Sequence, residues 1–194
     1  MRYIGPLLSD LKRSSHAAPI TCVEWSPDSS RLATGSYDGH LIVWPGVDRK
    51  PSLVIAHPKL INSVRWSNRG DRLAIGCADG NCYIYKIDIS LQPQVLSRHR
   101  DDVNDMSWSQ NDERLATVSE DGSVRLWNTE HGNPLEIVSS HSDHCMSVDW
   151  NVVDNSIASC GEDDTIRVWN QSDDSFQVWH QSSALEGSPD VSVG

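Results

Sequence analysis

The chain has no long hydrophobic run, no basic excess, no paired-cysteine motif and no glycine-rich phosphate loop. Nowhere do its 194 residues approach the roughly 18 consecutive apolar residues that a membrane-spanning helix needs. With 38% apolar residues and a mean hydropathy of −0.45, this absence predicts a soluble protein with no membrane partner. The opening stretch MRYIGPLLSDLKRSS lacks an uninterrupted apolar segment and a clear cleavage site, so a secretory route is not expected. The expected location is cytoplasmic or nuclear.

Positive charge is scarce: 16 Lys and Arg face 27 Asp and Glu, a formal net charge of −11. Nucleic-acid binding leaves a basic footprint, so no nucleic-acid partner is expected. Lys12, Arg13, Arg49, Lys50, Arg98 and Arg100 read as scattered surface charges. The five cysteines are Cys22, Cys77, Cys82, Cys145 and Cys160, an odd number without CxxC spacing. That argues against both a disulfide framework and a zinc ribbon. HSDHC at 141–145 offers two His and a Cys but no further ligand at a defined spacing, so no metal is expected. The glycines stand singly in turns rather than as GxGxxG or GxxxxGK[ST], so no cofactor is expected either.

What the chain does have is a repeat. EWSPDSSRLATGSYDGHLIVW, RWSNRGDRLAIGCADGNCYIY, SWSQNDERLATVSEDGSVRLW and DWNVVDNSIASCGEDDTIRVW align without a gap. The first aromatic positions, Trp25, Trp66, Trp108 and Trp150, recur every 41 or 42 residues. In each segment 19 residues separate that Trp from Trp44, Tyr85, Trp127 or Trp169. Within a repeat, ITCVEW alternates at period two, RLATGS follows a polar turn, a Tyr-Asp-Gly-His turn leads to LIVW, and a further apolar run precedes the next repeat. Helical periodicity of useful length is missing. The expectation is an all-β chain of four short strands per unit.

Period, strand count and terminal Trp together resemble the WD-repeat (WD40-type) family of β-propellers. The resemblance covers four repeats, about 16–56, 57–98, 99–140 and 141–181. Residues 1–15 precede them, with a candidate outer strand at 4–11, and residues 182–194 read as a small, polar, disordered tail. The resemblance implies structural tetrads. The family's His matches His16, His57, His99 and His141; its turn Asp matches Asp38, Asp79, Asp121 and Asp163. Its hydroxyl residue matches Thr34, Thr117 and Ser159, and its third-strand Trp matches Trp44, Trp127 and Trp169. Repeat two departs, with Ile75 for the hydroxyl and Tyr85 for Trp, so its hydrogen-bond chain is expected to be incomplete.

Four such blades describe an incomplete, open propeller, since rings of this type resemble wheels of roughly seven or eight blades. Several completions stand: a homodimer forming a larger ring, a second chain supplying blades, a truncated product of a longer gene, or a strained four-bladed closure latched by residues 4–11. The resemblance implies a non-enzymatic scaffold whose loops take up peptides of protein partners. By register the binding face carries Tyr37, Ala78, Glu120 and Glu162, with Thr21, Leu60, Asn62, Asp102, Asn104, His144 and Met146 alongside. Acids gather on repeats three and four, which predicts a basic peptide with an apolar anchor. Two rivals follow from the same residues. A hydrolase would use His99, Asp121 and Thr117 or Ser119, but catalysis needs one such set and not three or four. A ubiquitin-ligase substrate receptor resembles proteins with W-D-x-R after the third strand, whereas NTE and NQS follow Trp127 and Trp169 here.

Overall fold

Each repeat folds into one four-stranded antiparallel sheet, and the four sheets stand side by side in chain order. The computed structural model describes residues 15–46, 50–171 and 175–180. The strand expected at 4–11 and the tail expected over 182–194 lie outside them. Blade one comprises β1 (Ile20–Trp25), β2 (Arg31–Ser36), β3 (His40–Pro45) and β4 (Leu53–Ala56). Blade two comprises β5 (Ile61–Trp66), β6 (Arg72–Cys77), β7 (Asn81–Lys86) and β8 (Ser90–Ser97). Blade three comprises β9 (Val103–Trp108), β10 (Arg114–Ser119), β11 (Ser123–Asn128) and β12 (Pro134–Ser140). Blade four comprises β13 (Cys145–Trp150), β14 (Ser156–Gly161), β15 (Thr165–Asn170) and β16 (Ser175–His180). Among the described residues there is no helix, and so none long and apolar enough to cross a membrane.

Burial follows from position in the stack. The middle strands of blades two and three are covered on both faces, and RLAIGC and RLATVS read as nearly continuous apolar runs for that reason. The outer strands are edges, where a proline that cannot donate to a ladder is tolerated; Pro93 sits in β8. The hairpins between second and third strands turn through Gly39, Gly80 and Gly122 at φ of +74°, +73° and +77°. The same place in blade four is taken by Asp164 at φ +58°.

The apolar interior is divided into three clusters, one per blade junction. One face of each blade, here called leading, meets the trailing face of the next. Ala33, Leu41, Val43 and Ile55 meet Ile61, Val64, Trp66 and Leu73 at the first junction. Ala74, Cys82, Ile84 and Leu96 meet Val103, Met106, Trp108 and Leu115 at the second. Ala116, Val118, Val124 and Leu126 meet Cys145, Val148, Trp150 and Ile157 at the third. Trp66 and Trp108 donate their indole N–H to the carbonyls of Glu24 and Arg65 of the preceding blade, at 3.3 and 3.1 Å. The innermost strands are also tied by charge: Arg65 reaches Asp105 at 2.6 Å, and Ser63 and Ser147 donate to the same carboxylate from either side. Among the described residues no strand of blade one pairs with blade four, and the series is an open propeller rather than a closed ring.

Candidate functional site

The His, Asp and hydroxyl residues of blades one, three and four come together as chains of hydrogen bonds. In blade three, His99 Nδ1 donates to Asp121 at 3.2 Å, and Thr117 donates its hydroxyl to His99 Nε2 at 2.7 Å. Thr117 Oγ1 in turn accepts from the indole N–H of Trp127 at 2.8 Å. Ser123 and the backbone N–H of Arg100 also donate to Asp121. Blade one repeats the chain through His16, Asp38, Thr34 and Trp44. Blade four joins His141 to Asp163 at 2.8 Å and to Ser159 at 2.9 Å, with Trp169 packed against the third junction. Burial pushes the Asp121 carboxyl up, but the bonds from His99, Ser123 and two backbone N–H groups outweigh it and hold the group well below the usual carboxylate range. Burial lowers His99 despite its bond to Asp121, so the imidazole is neutral with its proton on Nδ1.

This geometry speaks against nucleophilic catalysis at these residues. Thr117 and Ser119 are wholly buried. Thr117 is held between His99 and Trp127, and Ser119 donates to the carbonyl of Asp101 while accepting from the N–H of Asp121. A nucleophile has to meet its substrate, and no substrate reaches either hydroxyl.

Blade two is built differently, and Asp79 does not join His57. With Ile75 in place of the hydroxyl, the Tyr85 phenol spans the gap directly and lies 3.0 Å from His57 Nε2. Asp79 instead accepts from the phenol of Tyr83 at 2.6 Å and from the N–H of Asn81. His57 Nδ1 is left buried without a hydrogen-bond partner. Burial lowers the pKa of His57 to about 4, against the opposing pull of Asp79. The incomplete chain of repeat two thus takes the form of two separate pairs, Tyr85 with His57 and Tyr83 with Asp79.

The rim residues are positioned by two backbone features that recur in every blade. The N–H groups of Tyr37, Ala78, Glu120 and Glu162 donate to the carbonyls of Pro19, Leu60, Asp102 and His144, at 2.9 to 3.1 Å. Beside them, each first strand carries a β-bulge against the second, where the register shifts between Ile20 and Cys22, Ile61 and Ser63, Val103 and Asp105, and Cys145 and Ser147. The extra residues are Thr21, Asn62, Asn104 and Met146, and a bulge re-aims its side chain. Thr21 and Asn104 turn to the next blade and donate to the carbonyls of Ile61 and Cys145. Asn62 donates to Asp102 at 3.4 Å. Their donors are therefore engaged in joining blades, while Met146 stands exposed.

The rim changes character along the series. Tyr37 is exposed beside Pro19 on blade one, and Ala78 lies beside Leu60 on blade two. Between blades three and four, Glu120, Asp121, Asp143 and His144 line a crevice of about 160 Å³. His144 is 3.9 Å from Asp143 and 3.8 Å from Glu162. These three groups have the side-chain types of a metal site, but each is about half exposed, where water competes for the carboxylates. Sequence reasoning missed the bulges and the Arg65–Asp105 brace. The one signal was Asp105 itself, a charge at an inward place of the alternating run VNDMSW.

Comparison with known proteins agrees with this architecture. The family described as "WD domain, G-beta repeat" matches residues 8–45, 49–86, 91–128 and 132–170. A structure of U3-55K superposes with a TM-score of 0.80 at 26% identity, covering 91% of this chain and 56% of that one. The crystal structure of RRP9 WD40 repeats does so with a TM-score of 0.80 at 25% identity, over the same shares. The chain thus spans a little over half the length of these structural neighbours. Actin-interacting protein 1 of Caenorhabditis elegans is 62% identical over 29 residues, which is 15% of this chain and 5% of that protein. Four consecutive family matches, each containing the three inner strands of one blade, establish that the chain belongs to the WD40 family of β-propeller repeats.

Proposed function

We propose that the chain is a non-enzymatic interaction scaffold that holds peptide segments of partner proteins along the rim described above. The observation that carries this reading is the recurring backbone bond that sets Tyr37, Ala78, Glu120 and Glu162 at equivalent places in four blades. The series so made is aromatic and apolar over blades one and two and acidic over blades three and four. A peptide with an apolar anchor and a Lys or Arg pair complements both halves, the anchor supplying contact area and the charges orientation. Leu60, Asp102 and Asp143 extend the same surface. The bulge residues Asn62 and Asn104 act behind it, by keeping adjacent blades in register. The likeness to Actin-interacting protein 1 is shorter than one repeat and brings no partner with it. The place of action follows the sequence reading, cytoplasm or nucleus.

The test is binding of fluorescent peptides that carry a Lys/Arg pair and an aromatic or aliphatic anchor. Reversing charge at Glu120→Lys and Glu162→Lys together is expected to weaken capture by about tenfold or more and to remove most of its salt dependence. Equal binding by the variant and the native chain rejects the acidic half of the rim as the basic site.

A further inference from the structure

The outer strand of each blade is a sheet edge, and three of the four edges are shielded. β4 is four residues long and begins just after Pro51. β8 contains Pro93, β12 opens on Pro134 and carries Glu136, and register shifts break both of their ladders. Shortness, proline, charge and bulges are what keep an edge from pairing with another chain. β16 has none of them. Its sequence, SFQVWH, holds no proline and no Asp, Glu, Lys or Arg. It pairs with β15 in unbroken register from Asn170–Ser175 to Thr165–His180. Phe176, Val178 and Trp179 on it are 44%, 38% and 54% exposed.

The backbone of this edge is open as well. In blade one the N–H of His57 donates to the carbonyl of Gly39, and in blade three that of His141 donates to Gly122. Bonded pairs recur at every second residue of an antiparallel ladder, so Leu41 with Ile55 and Val124 with Ser139 are bonded pairs. Ile166 stands where Leu41 and Val124 do, three residues before the third-strand Trp. The same phase makes Ile166 and Trp179 a bonded pair. It turns the N–H and carbonyl groups of Phe176, Val178 and His180 away from β15, toward the open edge.

Charge and symmetry select the occupant. With a net charge of −11 two copies repel each other, and an uncharged edge is where they approach at least cost. The edge also complements itself. In an antiparallel pairing centred on Val178, Val178 of one copy lies opposite Val178 of the other, and Phe176 opposite His180, each pair exchanging two backbone bonds. On the other face Gln177 falls opposite Trp179, and within one strand that amide oxygen already accepts from that indole at 3.3 Å. We infer that β16 is a dimerisation edge, which joins blade four of two copies of this chain into one continuous antiparallel sheet with its two-fold axis at Val178.

Sedimentation of the full chain is expected to give a mass that rises with concentration from 21.6 kDa towards twice that value, while amide exchange over 175–180 slows in parallel. Phe176→Pro sets a proline opposite Trp169, as β12 has Pro134 opposite Trp127, and removes an outward N–H without breaking the β15 ladder. It is expected to weaken the dimer about tenfold or more. V178K and V178E are each expected to do the same, because like charges then lie opposite, and to restore the dimer when mixed. The mixture decides where Phe176→Pro does not hold its fold. A chain that stays monomeric at about 100 µM overturns the inference. So does a dimer that Phe176→Pro leaves intact, a mixture that stays monomeric, or slowed exchange that falls in β1 in place of β16.

Discussion

Asp121 and Asp79 occupy the same place in their repeats and do different work. Asp121 accepts from His99, Ser123 and the N–H groups of Arg100 and Ser123, tying the connecting segment to the hairpin. Asp79 serves only its own hairpin and the Tyr83 phenol. Removing an acceptor from a dry network leaves its donors unsatisfied, and that loss outweighs the net value of any single bond. Asp121→Ala is therefore expected to destabilise the chain by about 2–4 kcal/mol, and Asp79→Ala by about 1 kcal/mol. Urea unfolding compares the two, and equal losses contradict the separation of Asp79 from His57. The sequence alone showed that repeat two lacked its hydroxyl. It did not show that Tyr85 would span the gap, because that depends on where a phenol oxygen ends in three dimensions.

The element whose geometry leaves least freedom is the hairpin between second and third strands. Gly122 has φ +77°, a Cβ on it would lie 2.8 Å from the carbonyl oxygen of His141, and its own carbonyl accepts from the N–H of His141. The tight approach and the left-handed backbone both exclude a side chain. Gly122→Ala is expected to cost about 2 kcal/mol or more, read from the denaturation midpoint. Asp164 tolerates the same turn with φ +58°, so backbone strain alone is the smaller part of that cost. Asp-Gly turns are legible from sequence because they need particular residues. Bulges are not, since Thr21, Asn62, Asn104 and Met146 share no residue type, and the extra residue shows only when two strands are paired.

Across the whole molecule, stability is the sum of blades and the junctions between them, as in other repeat proteins. Below neutrality its dependence on pH is led by buried imidazoles, with Glu24, whose carboxyl burial pushes up, acting in the opposite direction. His57, held at about 4, and His99, also lowered, are neutral in the folded chain because both are buried. In the unfolded chain both titrate near the ordinary value of about 6.5. Below that pH the unfolded chain binds more protons, so stability is full above about 6.5 and falls as the pH drops towards 4. Asp38, held at about 2, and the depressed Asp121 and Asp163 add a loss of the same sign in stronger acid. The unfolding free energy is expected to be about 1–3 kcal/mol lower at pH 5 than at pH 7.5. His57→Phe should flatten that slope, and an unchanged midpoint across the range contradicts burial of neutral imidazoles.

The sequence by itself determined the all-β class, the four repeats, the turns and the family. Each rests on residues that recur at a fixed spacing, and a periodic constraint is visible in one dimension. Tertiary structure decided which hydroxyls are sealed, that Asp79 leaves its tetrad, and that Asn62 and Asn104 join blades. These depend on contacts between residues about forty positions apart, where ångström distances between faces, and not residue identities along the chain, set what fits.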